Sequence, residues 1–178
     1  MRYVLTGGPC GGKTTVLDHI AAQGIKTFPE IASILIARGG EYAIPTVWSQ
    51  EWQDNLQLGI FREQLALEDK NPIGVFDRGV LDGAAYLEGG LAEFEEKFNI
   101  LREDAFSRYN AVIHLSSLAH DKAAYNAFRA NNACRRETAE EARIADEKTL
   151  AVWSEHKNHH IIGGSIEEKI AAVFQIIS

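Results

Sequence analysis

The sequence predicts an α/β fold, a parallel β-sheet covered on both faces by helices. Three observations carry this. First, a glycine-rich stretch near the start, Gly7-Gly8-Pro9-Cys10-Gly11-Gly12-Lys13-Thr14-Thr15, joins an apolar run, Tyr3-Val4-Leu5, to a segment in which Val16, Leu17, Ile20 and Ala21 recur at helical spacing. Second, short apolar runs of strand length alternate with longer amphipathic segments to the end of the chain, the pattern of repeated strand-helix-strand units. Third, charged residues stand just beyond two of the apolar runs, Glu30 and the pair Asp77-Arg78. Parallel sheets gather their active groups at those strand ends.

Each element has its own signals. Gly24 stops the first helix, and Ile25-Lys26-Thr27-Phe28 reads as a short second strand ended by Pro29. A helix from Ile31 to about Arg38 is closed by Gly39-Gly40, and the segment to Pro45 reads as loop. From about Trp48 to Lys70 the pattern is one long helix, its apolar side formed by Trp52, Leu56, Ile60 and Leu67 with Phe61 and Leu65 beside them. Asn71-Pro72 ends it. Ile73-Gly74-Val75-Phe76 is a buried-type strand followed by Asp77-Arg78-Gly79. A helix through Leu81, Ala84, Ala85 and Leu87 stops at Gly89-Gly90, and another runs from about Leu91 to Tyr109.

Ala111-Val112-Ile113-His114-Leu115 reads as the fourth strand. A polar stretch rich in Asn and Arg follows, from Ser116 to about Arg136. The next helix runs from about Glu137 to His156, with a capping box in Thr138-Ala139-Glu140-Glu141. His160-Ile161-Ile162 is the last strand, and Ser165 caps a final helix whose buried stripe is Ile166, Ile170, Val173 and Phe174. At 178 residues the chain makes one domain, with a lid segment over roughly residues 117 to 145.

The glycine-rich stretch fits G-x-x-x-x-G-K-[ST], with Gly7, Gly12, Lys13 and Thr14 at the fixed places. This is the P-loop, and strand, loop and helix in succession supply its context. A loop wrapped around a triphosphate must turn several backbone N–H groups inward, which demands dihedrals and close approaches that glycine allows. The helix that follows adds its N-terminal dipole. Lys13 would then meet the β- and γ-phosphates of ATP, and the Thr14 hydroxyl would ligate Mg²⁺.

Other residues carry weaker signals. Asp77 ends an apolar strand, where a second Mg²⁺-organising carboxylate is expected; it is otherwise the group that orients the acceptor hydroxyl in place of Glu30, or a solvated turn aspartate. Arg78 is a candidate to hold an anionic group of the acceptor or to order the carboxylates, a plain salt bridge being the alternative. Glu30 is either a base for an acceptor hydroxyl or a first-turn glutamate serving the helix dipole. Arg129, Arg135, Arg136 and Arg143 concentrate positive charge, as a lid meeting the transferring phosphoryl would, or as a solvated face paired with Glu137, Glu140 and Glu141. Trp48 and Trp52, one helical turn apart, are core residues or the wall of a pocket for a flat acceptor. Gln64 is a possible hydrogen-bonding partner for a substrate. The histidines His156, His159 and His160 read as surface residues, because they cross from a helix end into a strand and share no fixed geometry. Cys10 occupies a variable P-loop position, where a helix N-terminus can lower a thiol pKa.

The composition is that of an ordinary globular chain, 46% hydrophobic and 24% charged. A formal net charge of −7 argues against general nucleic-acid or anionic-membrane binding. No apolar run is long enough to span a bilayer, and strand-like residues lead straight into the P-loop without a secretion signal. The two cysteines, Cys10 and Cys134, form no disulfide framework, which fits a reducing cytoplasm. The assembly stays open between monomer and homodimer.

The P-loop, Pro29-Glu30, Phe76-Asp77-Arg78-Gly79, and Arg135-Arg136-Glu137 followed by Glu140-Glu141-Ala142 together resemble the NadR-like AAA-type ATPase domains. That family takes its name from the nicotinamide riboside kinase domain of a bifunctional NAD-synthesis protein. The chain is similar, more loosely, to nucleoside and nucleotide kinases. The resemblance implies a P-loop NTPase fold, a three-layer αβα sandwich with strand order 2-3-1-4-5. It implies Lys13 and Thr14 as phosphate and Mg²⁺ residues, Asp77 as the Mg²⁺-organising carboxylate, Glu30 as base, and Arg135 or Arg136 as the lid arginine. No adenylyltransferase segment precedes the P-loop, so a bifunctional enzyme is not expected. There is no N-K-x-D guanine-reading motif, which argues against a Ras-type GTPase.

The expectation is a Mg²⁺-dependent kinase passing the ATP γ-phosphoryl to a hydroxyl of a nucleoside, a riboside or a similar small alcohol. The alternative is an ATPase switch that acts on a protein partner. A ring-forming AAA machine fits less well, because the chain has no room for the extra helical domain such machines carry.

Overall fold

The computed structural model describes residues 1–130 and 137–178. Five strands form one parallel sheet: β1 (Arg2–Thr6), β2 (Thr27–Phe28), β3 (Gly74–Asp77), β4 (Ala111–Leu115) and β5 (His159–Ile162), in the order β2-β3-β1-β4-β5. This is the expected order. β1 is central. Its Leu5 pairs with Asp77 of β3 and its Thr6 with His114 of β4, so the C-terminal ends of the inner strands form one rim.

Side chains alternate across a strand, so neighbouring residues of β1 enter opposite halves of the core. Leu5 packs with Val16, Leu17 and Ile20 of α1 (Lys13–Ala22) and Val173 of α8 (Ile166–Ile177). Val4 packs on the other face with Phe61 of α3 (Gln50–Lys70), Phe94 of α4 (Gly90–Phe98) and Trp153 of α7 (Ala139–Trp153). Trp153 is fully buried, and its indole N–H donates to Asp82 at 3.2 Å. Burying a ring of that size contributes roughly 2–3 kcal/mol, provided the N–H keeps a partner. α2 (Ile31–Arg38) packs Ile31 and Leu35 against Leu56 of α3.

Three elements differ from the pattern read in the sequence. The helix expected from Leu91 to Tyr109 is two helices, α4 and α5 (Arg102–Ser107). Asn99 ends α4 in the left-handed region at φ 50°, a conformation asparagine tolerates better than most residues. The helix expected through Leu81 is a 3-10 segment, Val80–Tyr86, buried on nearly every side, so it shows no amphipathic period to read. The polar stretch after β4 holds a 3-10 turn, Leu118–His120, and α6 (Lys122–Ala130). Capping followed the sequence: Thr138 and Glu141 cap α7, and Ser165 and Glu168 cap α8. Among the described residues no helix is long and apolar enough to cross a membrane.

Candidate functional site

The P-loop joins β1 to α1 and its peptide groups are sorted by direction. Gly7 O and Gly8 O accept from Lys13 Nζ, each at 2.9 Å. Pro9 O accepts from Ser117 Oγ, Cys10 O from Leu118 N at 3.3 Å, Gly11 O from Lys169 Nζ at 2.9 Å, and Gly12 O from Val16 N at 3.1 Å. With the carbonyls so engaged, the amides of Gly11, Gly12, Lys13 and Thr14 find no acceptor among the described residues. They form an anion-binding concavity at a helix N-terminus. Gly12 makes the turn possible: it sits at φ 88°, and a Cβ there would meet Ile166 Cδ1 at 2.7 Å. Gly7 has φ 126° and lies so close to β4 that a Cβ would collide with Leu115 O.

The loop borders a cleft of about 570 Å³. Lys13, Thr14, Glu30, Asp77 and Arg78 all line it, so residues 64 positions apart in the chain meet at one rim. Arg78 follows β3 directly, in the left-handed region at φ 72°, an uncommon conformation for a residue with a side chain, and strain of this kind collects at functional sites. Its Nε donates to Glu30 Oε1 at 2.6 Å, its guanidinium reaches Asp82 Oδ1 at 3.4 Å, and it lies over the ring of Tyr86, 5.9 Å from the centroid. Glu30 is also bonded by Ser33 Oγ at 2.5 Å.

These contacts sort the charges. Burial pushes the Glu30 carboxyl up, but Arg78, the Ser33 hydroxyl and Lys13 outweigh it and hold the pKa below the usual glutamate value. Asp77 goes the other way: burial, with Glu30 and Asp82 nearby, outweighs Lys13 and Arg78 and raises it to about 6. Lys13 falls to about 8 through burial and the charge of Arg78. Asp77 Oδ1 is buried without a hydrogen-bond partner. An orphaned carboxylate oxygen beside the loop lysine fits a hard cation, and Thr14 lines the same cleft. Among the described residues no group of three or more His, Cys, Asp or Glu could hold a metal ion by itself, so a Mg²⁺ here would draw its other ligands from phosphate and water.

Of the loop residues named from the sequence, Pro9, Cys10, Gly11, Gly12, Lys13, Thr14 and Thr15 line the cleft, and Gly7 and Gly8 lie behind it. Trp48 and Trp52 do not form its wall. Trp48 precedes the Ser49 cap of α3 and is 61% exposed, while Trp52 packs into the small core between α2 and α3. The wall is instead the next face of α3. Gln53, Gln57, Ile60 and Gln64 follow one another at 4-3-4 spacing and all border the cleft. Gln57 and Gln64 are buried, and Gln64 Nε2 donates to Glu68 Oε1 and to Arg78 O. Tyr86 and Phe128 stand at the mouth.

Asp82, which the sequence reading passed over, anchors the site. It is 2% exposed and takes hydrogen bonds from Thr6 Oγ1, Gly79 N, Trp153 Nε1 and Arg78. Its only sequence signal was an acidic residue inside an otherwise apolar run. Of the lid arginines, Arg143 is tied to Glu140 and Glu147 on its own helix, the solvated-face arrangement. Arg129 lies on α6, and Arg135 and Arg136 lie outside the described residues, as does Cys134. His156 is not a surface residue. It is buried beside Phe106 and Trp153.

No curated protein matches the sequence. Solved structures match the fold along nearly the whole chain. The YorR protein of Bacillus subtilis, in complex with phosphorylated GDP, superposes with a TM-score of 0.59 at 17% identity, covering 99% of this chain and 95% of that one. Deoxyadenosine kinase from M. mycoides with bound dATP gives 0.59 at 12% identity, with 98% of each chain covered. Shikimate kinase from Aquifex aeolicus gives 0.57 at 18% identity, covering 98% of this chain and 94% of that one. At such identities the likeness shows a shared P-loop kinase-like fold. The sequence match is more specific, because the family described as AAA domain aligns with residues 2–169: this chain belongs to the AAA domain family.

Proposed function

We propose that this chain is a Mg²⁺-dependent small-molecule kinase that passes the γ-phosphoryl group of ATP to a hydroxyl of a nucleoside, riboside or similar alcohol. The observation that carries the reading is the Glu30–Arg78 ion pair, facing the cleft on the same rim as the P-loop. A carboxylate can activate water as well as an alcohol, but this one borders a cleft of about 570 Å³, room for an acceptor rather than for a single water. The kinase-like fold shared with deoxyadenosine kinase and shikimate kinase supports the same reading.

The residues divide the work. The amides of Gly11 to Thr14 cradle the phosphates, and Lys13 turns from Gly7 O and Gly8 O to phosphate oxygens. Asp77 and Thr14 would hold the cation, which would supply positive charge to offset that of the phosphates. Glu30, kept ionised by Arg78, takes the proton from the acceptor hydroxyl as that oxygen attacks phosphorus, and the ADP oxygen leaves on the opposite side. The face of Gln53, Gln57 and Gln64 offers amide donors and acceptors to a polar, planar acceptor, and Tyr86 and Phe128 offer ring faces. Arginines of the 131–136 segment are candidates for the charge that develops on the equatorial oxygens.

A second reading, an ATPase switch acting on a protein partner, is favoured by one observation. The loop before α3 exposes Ile44, Val47 and Trp48 at 69%, 80% and 61%. One experiment separates the two. ADP release by the wild type and by Lys13→Ala is followed with Mg²⁺, alone and against nucleosides, nicotinamide riboside and small alcohols. Release that depends on an acceptor and is lost in the variant supports the kinase. Release that ignores every acceptor supports the switch.

A further inference from the structure

One buried carboxylate and one buried ammonium grip the P-loop from behind, outside the cleft. Asp146 of α7 is 2% exposed. Its Oδ1 accepts from Gly8 N at 2.6 Å and from His114 Nε2 at 3.0 Å, and its Oδ2 accepts from Ser117 N at 3.2 Å and from His120 Nε2 at 2.7 Å. Lys169 of α8 is 4% exposed, and its Nζ donates to Gly11 O at 2.9 Å and Ser116 O at 2.7 Å. Gly8 lies so close to α7 that a Cβ there would meet Asp146 Cβ at 2.7 Å.

We propose that Asp146 and Lys169 are positioning residues of the phosphate loop, a two-sided polar clamp that fixes which way its peptide groups point. Asp146 holds the Gly8 N–H away from the cleft, and Lys169 holds the Gly11 carbonyl away from it. A loop peptide that flipped would aim a carbonyl oxygen at phosphate and remove an amide from the cradle. Burying two charges is costly, and each engages loop and strand-end backbone rather than the other. A core required only to be stable would be served as well by apolar residues at both places. His114 and His120 complete the four donors that keep Asp146 an acceptor only.

This inference rests on the nucleotide-binding part of the proposed function and is tested with Mg-ADP as probe. Asp146→Asn and Lys169→Met are compared with the wild type by calorimetric titration, with melting curves to show that each variant is folded. The expected result is a rise of about tenfold or more in the Mg-ADP Kd for each variant at a temperature where both are folded. Folded variants that bind within about twofold of the wild type overturn the clamp and leave the nucleotide reading standing. A wild type that binds no Mg-ADP overturns the nucleotide reading and the clamp together. Amide NMR of the wild type decides the matter if a variant fails to fold. On saturation with Mg-ADP the Gly11, Gly12 and Lys13 amides shift strongly and the Gly8 amide, kept on Asp146, shifts little. A Gly8 amide that moves as far as theirs has turned to phosphate and contradicts the proposal.

Discussion

Arg78 Nε donates to Glu30 Oε1 at 2.6 Å, joining the ends of two neighbouring strands whose residues are 48 apart in the chain. The bond does two things at once. It keeps Glu30 ionised in a half-buried place, and it aims the carboxylate across the cleft from the P-loop. Glu30→Gln keeps the shape and removes the proposed base, so kcat is expected to fall by about 10²–10⁴-fold with little change in ATP affinity. Arg78→Lys loses the planar fork and is expected to lower kcat about tenfold or more. Steady-state kinetics with the identified acceptor checks both.

The pH dependence follows from two neighbours of that pair. Asp77, raised to about 6, must be ionised to hold a cation, and Lys13, lowered to about 8, must be protonated to meet phosphate. In the free enzyme kcat/KM for ATP therefore rises as pH passes about 6 and falls as it passes about 8. Glu30, held below its ordinary value, adds no limb in this range. A profile in Mg²⁺ that is flat from below 6 to above 8 would contradict these assignments.

Asp77 also makes a prediction about stability. Its folded pKa, about 6, lies above the ordinary value of 3.8, so the ionised carboxylate opposes folding. Between those values the folded state holds the proton more tightly than the unfolded chain. Stability from this group is therefore greatest at low pH and is lost as pH rises through about 6. Asp77→Asn removes the penalty at neutral pH and is expected to stabilise the apo protein by about 1–2 kcal/mol while abolishing Mg²⁺-dependent activity. Thermal melting near pH 7.5 and pH 4 reads it, with the gain expected only at the higher pH.

A buried network supports the glutamine face. Glu68 is fully buried and accepts from Gln64 Nε2 at 2.8 Å, Tyr109 Oη at 2.7 Å and Arg108 Nε at 2.8 Å. Removing it takes a buried acceptor from three donors, so Glu68→Ala is expected to cost about 2–4 kcal/mol in a denaturant titration. Gln57→Leu is milder. It leaves the fold intact and is expected to raise the acceptor KM about tenfold with the ATP KM unchanged, which two-substrate kinetics separates.

Much of this site could be read in the sequence because its signals are local. Gly7, Gly12, Lys13 and Thr14 stand at fixed spacing, and the strand order brings Glu30 and Asp77-Arg78 to the same rim. What could not be read depends on which face of an element turns inward. Trp48 and Trp52 share the apolar side of a helix pattern, but the cap at Ser49 leaves Trp48 outside α3 and in solvent. Gln64 reads in the sequence as a possible substrate contact and does line the cleft. Gln57 looks like a surface residue by type, yet the cleft makes both a buried polar wall. Asp82 and Asp146 are anchored by partners as far as 76 and 138 residues away, and no local window contains those pairs.

The most direct test of the central claim follows the phosphorus. The protein is incubated with ATP labelled in its γ-phosphorus, Mg²⁺ and the acceptor panel, and the products are separated and identified by mass. Label is expected in the phosphate ester of one acceptor class, absent with Lys13→Ala and greatly reduced with Glu30→Gln. Label found only as inorganic phosphate, at the same rate with and without every acceptor and unchanged in Glu30→Gln, would contradict the claim.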